Sequence, residues 1–322
     1  MRALRLVAAL IALLGVGPHD ARAEDFPARP IRLIVTSPPG GLLDVIARLI
    51  AQDLGTRLGQ NVFIDNRPGA MTQIAVDALV RAPPDGYTLF IGSAEMTMLP
   101  FLKKSYRFDP VKDFTPVALV TSSWTVFAIN PKLPAATLPE FIAYARERPG
   151  ALRYGSGGVG GVLHIVVEML KSRAGIDLVH VPYRGGAQAA ADAIAGQIDM
   201  VSMGLGSTRI AESGQLRLLA QAGPSRHPLL PDVPTTAEAG LPDVRMDTWF
   251  GLLGPPQLPE EVIARLTQEL DAVVHQPEFR DKLVKIGCDV AWMPPKEFSA
   301  FMRDDAKKWE KLIPAMGIPS ID

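Results

Sequence analysis

Residues 153–174 read RYGSGGVGGVLHIVVEMLKSRA, and three local signals follow one another within them. Arg153-Tyr154 leads out of a short strand. Gly155-Ser156-Gly157-Gly158-Val159-Gly160-Gly161 is a turn. Val162 to Ala174 reads as a helix. A strand, a glycine turn and a helix in that order form the repeating unit of α/β folds, in which parallel strands are joined by helices.

The same order recurs on both sides of this stretch. Upstream, Ile31 to Val35 is a strand. Asp44 to Leu58 carries apolar residues at helical spacing and stops at Gly59. Asn61 to Ile64 is a second strand, Ile74 to Ala82 a helix and Tyr87 to Ile91 a third strand. Trp124 to Ile129 follows as a strand. Thr137-Leu138-Pro139-Glu140 is a helix start, with Thr137 as cap and Glu140 reaching back. Downstream, Leu178 to Pro182 is a strand, Ala187 to Ala195 a helix, and Ile198 to Met203 and Leu216 to Ala220 are strands. Met246 to Leu253 is a further apolar segment. Helices at 259–275, 277–286 and 295–313 each start at a proline.

The length suits two lobes better than one core. The expected fold is α/β, a two-lobed clamshell with a mostly parallel sheet flanked by helices in each lobe. Residues 24–121 form the first lobe and 122–246 the second. Residues 247–322 return to the first lobe with the C-terminal helices. Crossings are placed near Thr115 to Ser122 and Asp247 to Leu253. Arg2 and Arg5, an uncharged apolar run from Leu6 to Val16, and Ala21-Arg22-Ala23 make a signal peptide over residues 1–23, cut after Ala23. The expected location is the periplasm.

Composition excludes several classes. With 33 Lys and Arg against 34 Asp and Glu, no basic excess exists to neutralise nucleic acid. Cys288 is the only cysteine, so an internal disulfide or a cysteine metal site is excluded. It is read as a small core residue within a strand at 286–290. The five histidines lack metal-ligand spacing, and neither a metal nor a cofactor is expected. No paired carboxylates or G-x-S-x-G nucleophile are evident, so no enzyme activity is expected.

Three turns carry the functional reading: Pro38-Pro39-Gly40-Gly41, Asn66-Arg67-Pro68-Gly69-Ala70 and Gly155 to Gly161. Each lies where a strand ends and a helix begins. The first N–H groups of a helix lack partners, the helix dipole adds positive potential, and glycine admits a close ligand. Such ends bind carboxylates or phosphates without Lys or Arg. Tight-turn chemistry explains any one of them equally well. Gly155, Gly157 and Gly160 also satisfy the dinucleotide fingerprint, but Arg184 stands where the next strand needs an acidic residue.

These turns also carry a resemblance. The chain resembles the substrate-binding proteins of tripartite tricarboxylate transporters, the Bug family. The matching segments include Pro30-Ile31-Arg32-Leu33-Ile34-Val35, Pro38-Pro39-Gly40-Gly41 with Asp44 and Arg48, Asn66-Arg67-Pro68-Gly69-Ala70 and Pro84-Asp85-Gly86-Tyr87-Thr88-Leu89. Tyr154-Gly155-Ser156 with Gly158 and His164, Val179-His180-Val181-Pro182-Tyr183, Leu230-Pro231-Asp232-Val233-Pro234-Thr235 and Trp249-Phe250-Gly251 continue it in order. The resemblance implies a periplasmic-binding-protein clamshell of type II that holds a small carboxylate through backbone amides. It implies a monomer whose partner is the membrane permease subunits of such a transporter, or alternatively a sensor ectodomain. Carried onto this chain, it implies ligand contact by Ser37, Pro39, Gly40, Gly41, Gly69, Ala70, Met71, Thr72, Ser93, Ala94, Glu95, Ser156, Gly157, Gly160, Gly161 and His164. For His164 and Arg184, a satisfied buried histidine and a solvated arginine are equally good readings.

The chain departs from the family pattern at Ser37, Leu42, Met71-Thr72-Gln73, Glu95-Met96 and Gly161-Val162. Several side-chain donors for a second carboxylate give way to apolar bulk, and a buried charge without hydrogen bonds is costly. The expected ligand therefore has one carboxylate and a less polar or aromatic remainder. Glu95 either pairs with a ligand amine or is solvated.

Overall fold

The computed structural model describes residues 26–208 and 214–321, so the signal peptide expected at residues 1–23 lies outside the described residues. Three strands open the first lobe: β1 (Ile31–Val35), β2 (Val62–Asn66) and β3 (Thr88–Ser93). They are parallel with β1 central, in register Ile31 to Val62 and Arg32 to Thr88. Each is followed by a helix: α1 (Leu42–Leu58), α2 (Gln73–Val80) and α3 (Glu95–Leu102). On α1 the spacing of Leu43, Ile46, Ile50, Leu54 and Leu58 buries one face. Each of those side chains contributes about 1.5–3 kcal/mol by leaving water.

The second lobe repeats the pattern with α4 (Leu138–Arg146), β5 (Arg153–Ser156), α5 (Val162–Ala174), β6 (Val179–Pro182), α6 (Gly186–Ala195), β7 (Met200–Gly204) and β8 (Arg217–Gln221). Strand β5 lies parallel to both β6 and β7. The cap at α4 forms as the sequence indicates, with Thr137 Oγ1 accepting from the Glu140 amide at 3.3 Å. The Glu140 carboxylate reaches one residue further back, to the Ala136 amide at 2.6 Å.

One long strand runs through both lobes. β4 (Thr115–Ile129) runs antiparallel to β9 (Asp247–Gly254) as far as the pair Trp124–Asp247. From Thr125 onward it runs antiparallel to β7 and β8. The sequence reading places a crossing near Thr115 to Ser122 and a strand at Trp124 to Ile129, which are one continuous strand here. Val117 to Val120 and Val126 to Ile129 are buried, so β4 is covered on both faces and shows no alternation to read. β9 also pairs with β3, which closes the first lobe. The parallel trios of the two lobes are thus bridged by antiparallel strands.

The C-terminal part packs on the first lobe as α7 (Glu260–Val274), α8 (Pro277–Lys285), β10 (Asp289–Met293) and α9 (Pro295–Ala315). β10 begins three residues later than the sequence suggests, and Cys288 is a fully buried core residue just before it. The core lies on both faces of the first sheet: Ile31, Leu33 and Val35 face α1 and α7, while Ile34 faces the cluster holding Phe298 and Trp309 of α9.

Helix α3 is absent from the sequence reading, which treats residues 92–96 as a loop. Its residues EMTMLPFL are apolar almost throughout and include Pro100, so no helical period stands out. Tertiary contacts hold it. Asp305 of α9 accepts from Thr97 Oγ1 at 2.6 Å, from Trp249 Nε1 at 3.1 Å and from Trp309 Nε1 at 3.3 Å. No helix among the described residues is long and apolar enough to cross a membrane.

Candidate functional site

The turns after β1, β2, β3 and β5 lie at the carboxyl ends of parallel strands, where α/β folds place ligands. Three of them meet. A cavity of about 140 Å³ lies between Met71, Glu95 and Leu99 of the first lobe and Gly157, Gly158, Val159, Gly160 and Gly161 of the second. A wider groove of about 650 Å³ runs between α7 and β10, past Ile263, Thr267, Trp292 and Pro294. The side of α7, the end of β10 and the proline start of α9 wall it, and none of the glycine turns singled out from the sequence reaches it. The smaller space is therefore the better candidate.

The wall from the first lobe is strained. Ala70, Met71 and Thr72 take φ of 46°, 51° and 71°, three left-handed non-glycine residues in a row. Each costs about 1–2 kcal/mol. A buried hydrogen bond of 3.0 Å between Thr72 Oγ1 and Tyr106 Oη holds the turn. The turn carries Met71 across the cleft, so that a Cβ built on Gly160 would meet Met71 Cε at 2.5 Å. Glycine is therefore required at 160 both for its φ of 79° and for this approach.

The helix starts in the two lobes share one local geometry. Gly40-Gly41-Leu42-Leu43-Asp44 opens α1, and Gly160-Gly161-Val162-Leu163-His164 opens α5. The first glycines have φ of 83° and 79°. The second, the caps, have φ/ψ of −70°/159° and −75°/163°. In each helix the third residue turns back to the first glycine: Asp44 Oδ2 accepts from the Gly40 amide at 2.9 Å, and His164 Nδ1 accepts from the Gly160 amide at 3.2 Å.

The chemistry of that third residue differs. Asp44 is an anion at the positive end of α1. Burial pushes its carboxyl up, but Arg48, the Gly40 amide and Asn66 outweigh this and bring it down to about 2. Arg48 Nε lies 2.9 Å from Oδ2, and Asn66 Nδ2 donates to Oδ1 at 2.8 Å and to the Ser37 carbonyl at 3.0 Å. This network ties the β1 turn to β2 and neutralises the start of α1. His164 accepts a hydrogen bond at Nδ1 and is therefore neutral. Burial pushes its pKa down. His164 thus adds no negative charge of its own to the start of α5.

Three rings support the α5 turn from behind. His164 stacks on His180 at 4.2 Å and His180 on Tyr154 at 4.7 Å. Burial, then the neighbouring His164, push His180 down to about 4. His180 Nε2 lies 2.7 Å from Ser156 Oγ. That pair has the separation of a nucleophile and its base, yet Ser156 is fully buried and its hydroxyl also engages the Gly158 amide and carbonyl, each at 3.2 Å. The contact fastens β5 to β6 and fixes the glycine turn.

Glu95 is the first residue of α3 and is half-buried. Its carboxylate accepts the backbone N–H of Val162, the first residue of α5, across the cleft. Burial pushes its pKa up, and the Val162 amide opposes that.

Of the residues singled out from the sequence, Met71, Glu95, Gly157, Gly160 and Gly161 line the cavity. Thr72, Ser93, Ala94, Ser156 and His164 are buried around it. Gly69 and Ala70 form the strained turn. Pro39, Gly40 and Gly41 surround the start of α1, which Asp44 already fills, and neither they nor Ser37 line the cavity. Arg184 is exposed. Gly158 and Val159 belong to the turn already singled out, whereas Leu99 was missed; it lies four residues after Glu95, on the same face of α3. Tyr106 carries no sequence signal beyond being aromatic.

Comparison with known proteins agrees with this fold. The model of the tripartite tricarboxylate transporter family receptor matches residues 46–318. The UPF0065 protein in the tcbD-tcbE intergenic region of Pseudomonas sp. (strain P51) is 34% identical over 307 residues, 94% of this chain and 91% of that protein. Among solved structures, Rpa4515 of R. palustris with adipate is 31% identical at a TM-score of 0.85, covering 92% of this chain and 100% of that one. MatC (Rpa3494) of Rhodopseudomonas palustris with bound malate is 30% identical at a TM-score of 0.78, covering 89% of this chain and 100% of that one. The fold, the cleft between strand ends and near-full-length relatives converge: the chain belongs to the receptors of the tripartite tricarboxylate transporter family.

Proposed function

We propose that the chain is a periplasmic solute-binding protein that captures a small carboxylate between its lobes and passes it to the permease subunits of a tripartite tricarboxylate-type transporter, without chemistry on the ligand. The lobes divide at the two crossings, residues 122–246 forming the second. The observation that carries this reading is the start of α5: His164 adds no charge to it, and apart from the Val162 amide that Glu95 takes, it opens on a cavity walled by both lobes. Closure of the lobes on a ligand then gives the membrane partner a shape to recognise. The adipate and malate held by two relatives support a carboxylate as the class of ligand. Met71 and Leu99 in the wall support a single carboxylate with a less polar or aromatic remainder. The N-terminal basic, apolar and small-residue pattern supports export.

A thermal-shift screen of the protein from Glu24 onward, against aliphatic and aromatic mono-, di- and tricarboxylates, tests this. A true ligand at 100 times its Kd adds about 2.7 kcal/mol to stability. A shift confined to apolar or aromatic monocarboxylates supports the whole reading. A larger shift with citrate keeps the receptor and discards the apolar ligand. No shift with any carboxylate overturns the receptor reading.

A further inference from the structure

Among the described residues that line the cavity, Glu95 alone is ionisable. Its position is well fixed. It starts α3, which is anchored through Thr97 to Asp305 on α9, and its carboxylate is steadied by the Val162 amide from the opposite lobe. Its other neighbours in the wall are Met71, Leu99 and glycines. Tyr106 lies near enough for the Glu95 charge to contribute to raising its pKa.

Glu95 contrasts with the other carboxylate at a helix start. Asp44 is surrounded by Arg48, Asn66 and the Gly40 amide and is held well below the usual carboxylate range. Glu95 is pushed the other way, and among the described residues no Lys, Arg or His forms an ion pair with it. The chain satisfies a carboxylate fully where the role is structural. At Glu95 it leaves a carboxyl group facing a space bounded by both lobes, its ionised form met by one neutral donor and no cation.

A cationic group from outside the chain supplies the missing counter-charge. We infer that Glu95 is a specificity residue that receives the ammonium, or an equivalent cationic group, of a ligand whose carboxylate rests on the remaining amides of the α5 start. This rests on the reading of the cleft as a carboxylate site, and it narrows the ligand to a small zwitterion with a less polar remainder. A dicarboxylate of the same length brings a second negative charge against Glu95 and is disfavoured.

The test uses three four-carbon probes that differ at one end: 4-aminobutanoate, butanoate and succinate. Affinities are measured by titration calorimetry on the protein from Glu24 onward and on its Glu95→Gln variant. Gln keeps the length and an acceptor oxygen for the Val162 amide but removes the charge. Wild type is expected to rank 4-aminobutanoate first and succinate last. In the variant, 4-aminobutanoate should weaken by about 10- to 100-fold, the scale of a charged hydrogen bond, and succinate should gain. Succinate ranking first on wild type overturns the inference, and this needs no variant. So does an order that Glu95→Gln leaves unchanged. In both cases a carboxylate still binds, so the receptor reading survives. Failure of all three probes on both proteins overturns the inference, while the carboxylate reading is decided by the wider thermal-shift screen.

Discussion

The starts of α1 and α5 are near copies in backbone and differ in one side chain. Both follow a strand, both run glycine, glycine, aliphatic, leucine, and both use the third helical residue to accept the first glycine's amide. In α1 that residue is Asp44, and the helix end is neutralised from within. In α5 it is His164, uncharged, and the carboxylate that meets the helix end is Glu95, from the opposite lobe. The surroundings follow the same division. A Cβ on Gly40 would meet nothing within 4 Å, whereas one on Gly160 would meet Met71 and Ile321. One start is a closed structural joint at the surface. The other lies under side chains from the opposite lobe, at a cavity. Two glycine turns with the same shape thus differ in the charge available to a ligand, which is set three residues beyond the second glycine.

The largest effect is expected from removing the joint. Asp44→Ala leaves the Asn66 amide and the Gly40 N–H without their acceptor and Arg48 without its anion. Asp44 is 2% exposed, so little water replaces it. Urea unfolding should show a loss of about 2–4 kcal/mol. The carboxylate-induced thermal shift should persist, because α5 is untouched. A variant that keeps its stability but loses the ligand shift would mean that the α1 start, not the α5 start, holds the ligand.

The converse substitution is His164→Asp, which gives α5 the charge pattern of α1. A carboxylate at 164 turned toward the Gly160 amide would neutralise the helix end. Carboxylate affinity should fall by about 10- to 100-fold in calorimetry, the scale of one charged hydrogen bond. Circular dichroism should show a folded protein. Undiminished affinity would remove the electrostatic distinction between the two starts.

Acid should separate the two joints by pH alone. His180 falls to about 4 in the fold, from 6.5. The unfolded chain therefore binds a proton that the native chain refuses. Stability from the ring stack is complete above 6.5, declines as pH falls below that value, and levels off below about 4. Asp44 behaves differently. Its carboxyl moves from 3.8 to about 2, so its contribution is intact above 3.8 and is lost only as pH falls through 2. Hydrogen exchange at pH 5 should accordingly quicken in the α5 turn before the α1 turn. Equal quickening of both turns would contradict the assignment of the histidines to the second.

How much of this was legible in the sequence depends on the range of the interaction. Helix α5 was readable from Val162 to Ala174 because the glycines before it and the helical run are local signals. The Thr137 cap is local for the same reason. Helix α3 was not readable, since its identity lies in Thr97 and Trp249 meeting Asp305 of α9, far along the chain. The site divides in the same way. Single glycine turns could be identified, but not that the β2, β3 and β5 turns share a cavity while the β1 turn stays outside. Asp44 and Asn66 were matched as motif residues without their role, because the bond between them joins the start of α1 to the end of β2. The match between the helix starts also went unread: it covers five residues in each lobe and is plain only once both glycine pairs are seen with the same backbone angles.

The smallest effect concerns the covering of the α5 start. Met71 has φ 51° and ψ 56° between two other left-handed residues. Glycine adopts these angles without steric cost, so Met71→Gly relieves about 1 kcal/mol of strain. The same change removes the side chain that leans on Gly160 and frees backbone entropy in the unfolded chain. These terms oppose one another, and the net change in stability should stay within about 1 kcal/mol. The wall of the cavity loses its bulk, so the order of ligands should change more than the melting temperature does. Bulkier carboxylates should gain in the thermal-shift screen relative to small ones. If the variant instead unfolds several degrees lower and its ligand order is unchanged, Met71 is a packing residue between the lobes. The strain would then serve closure of the clamshell, not choice of ligand.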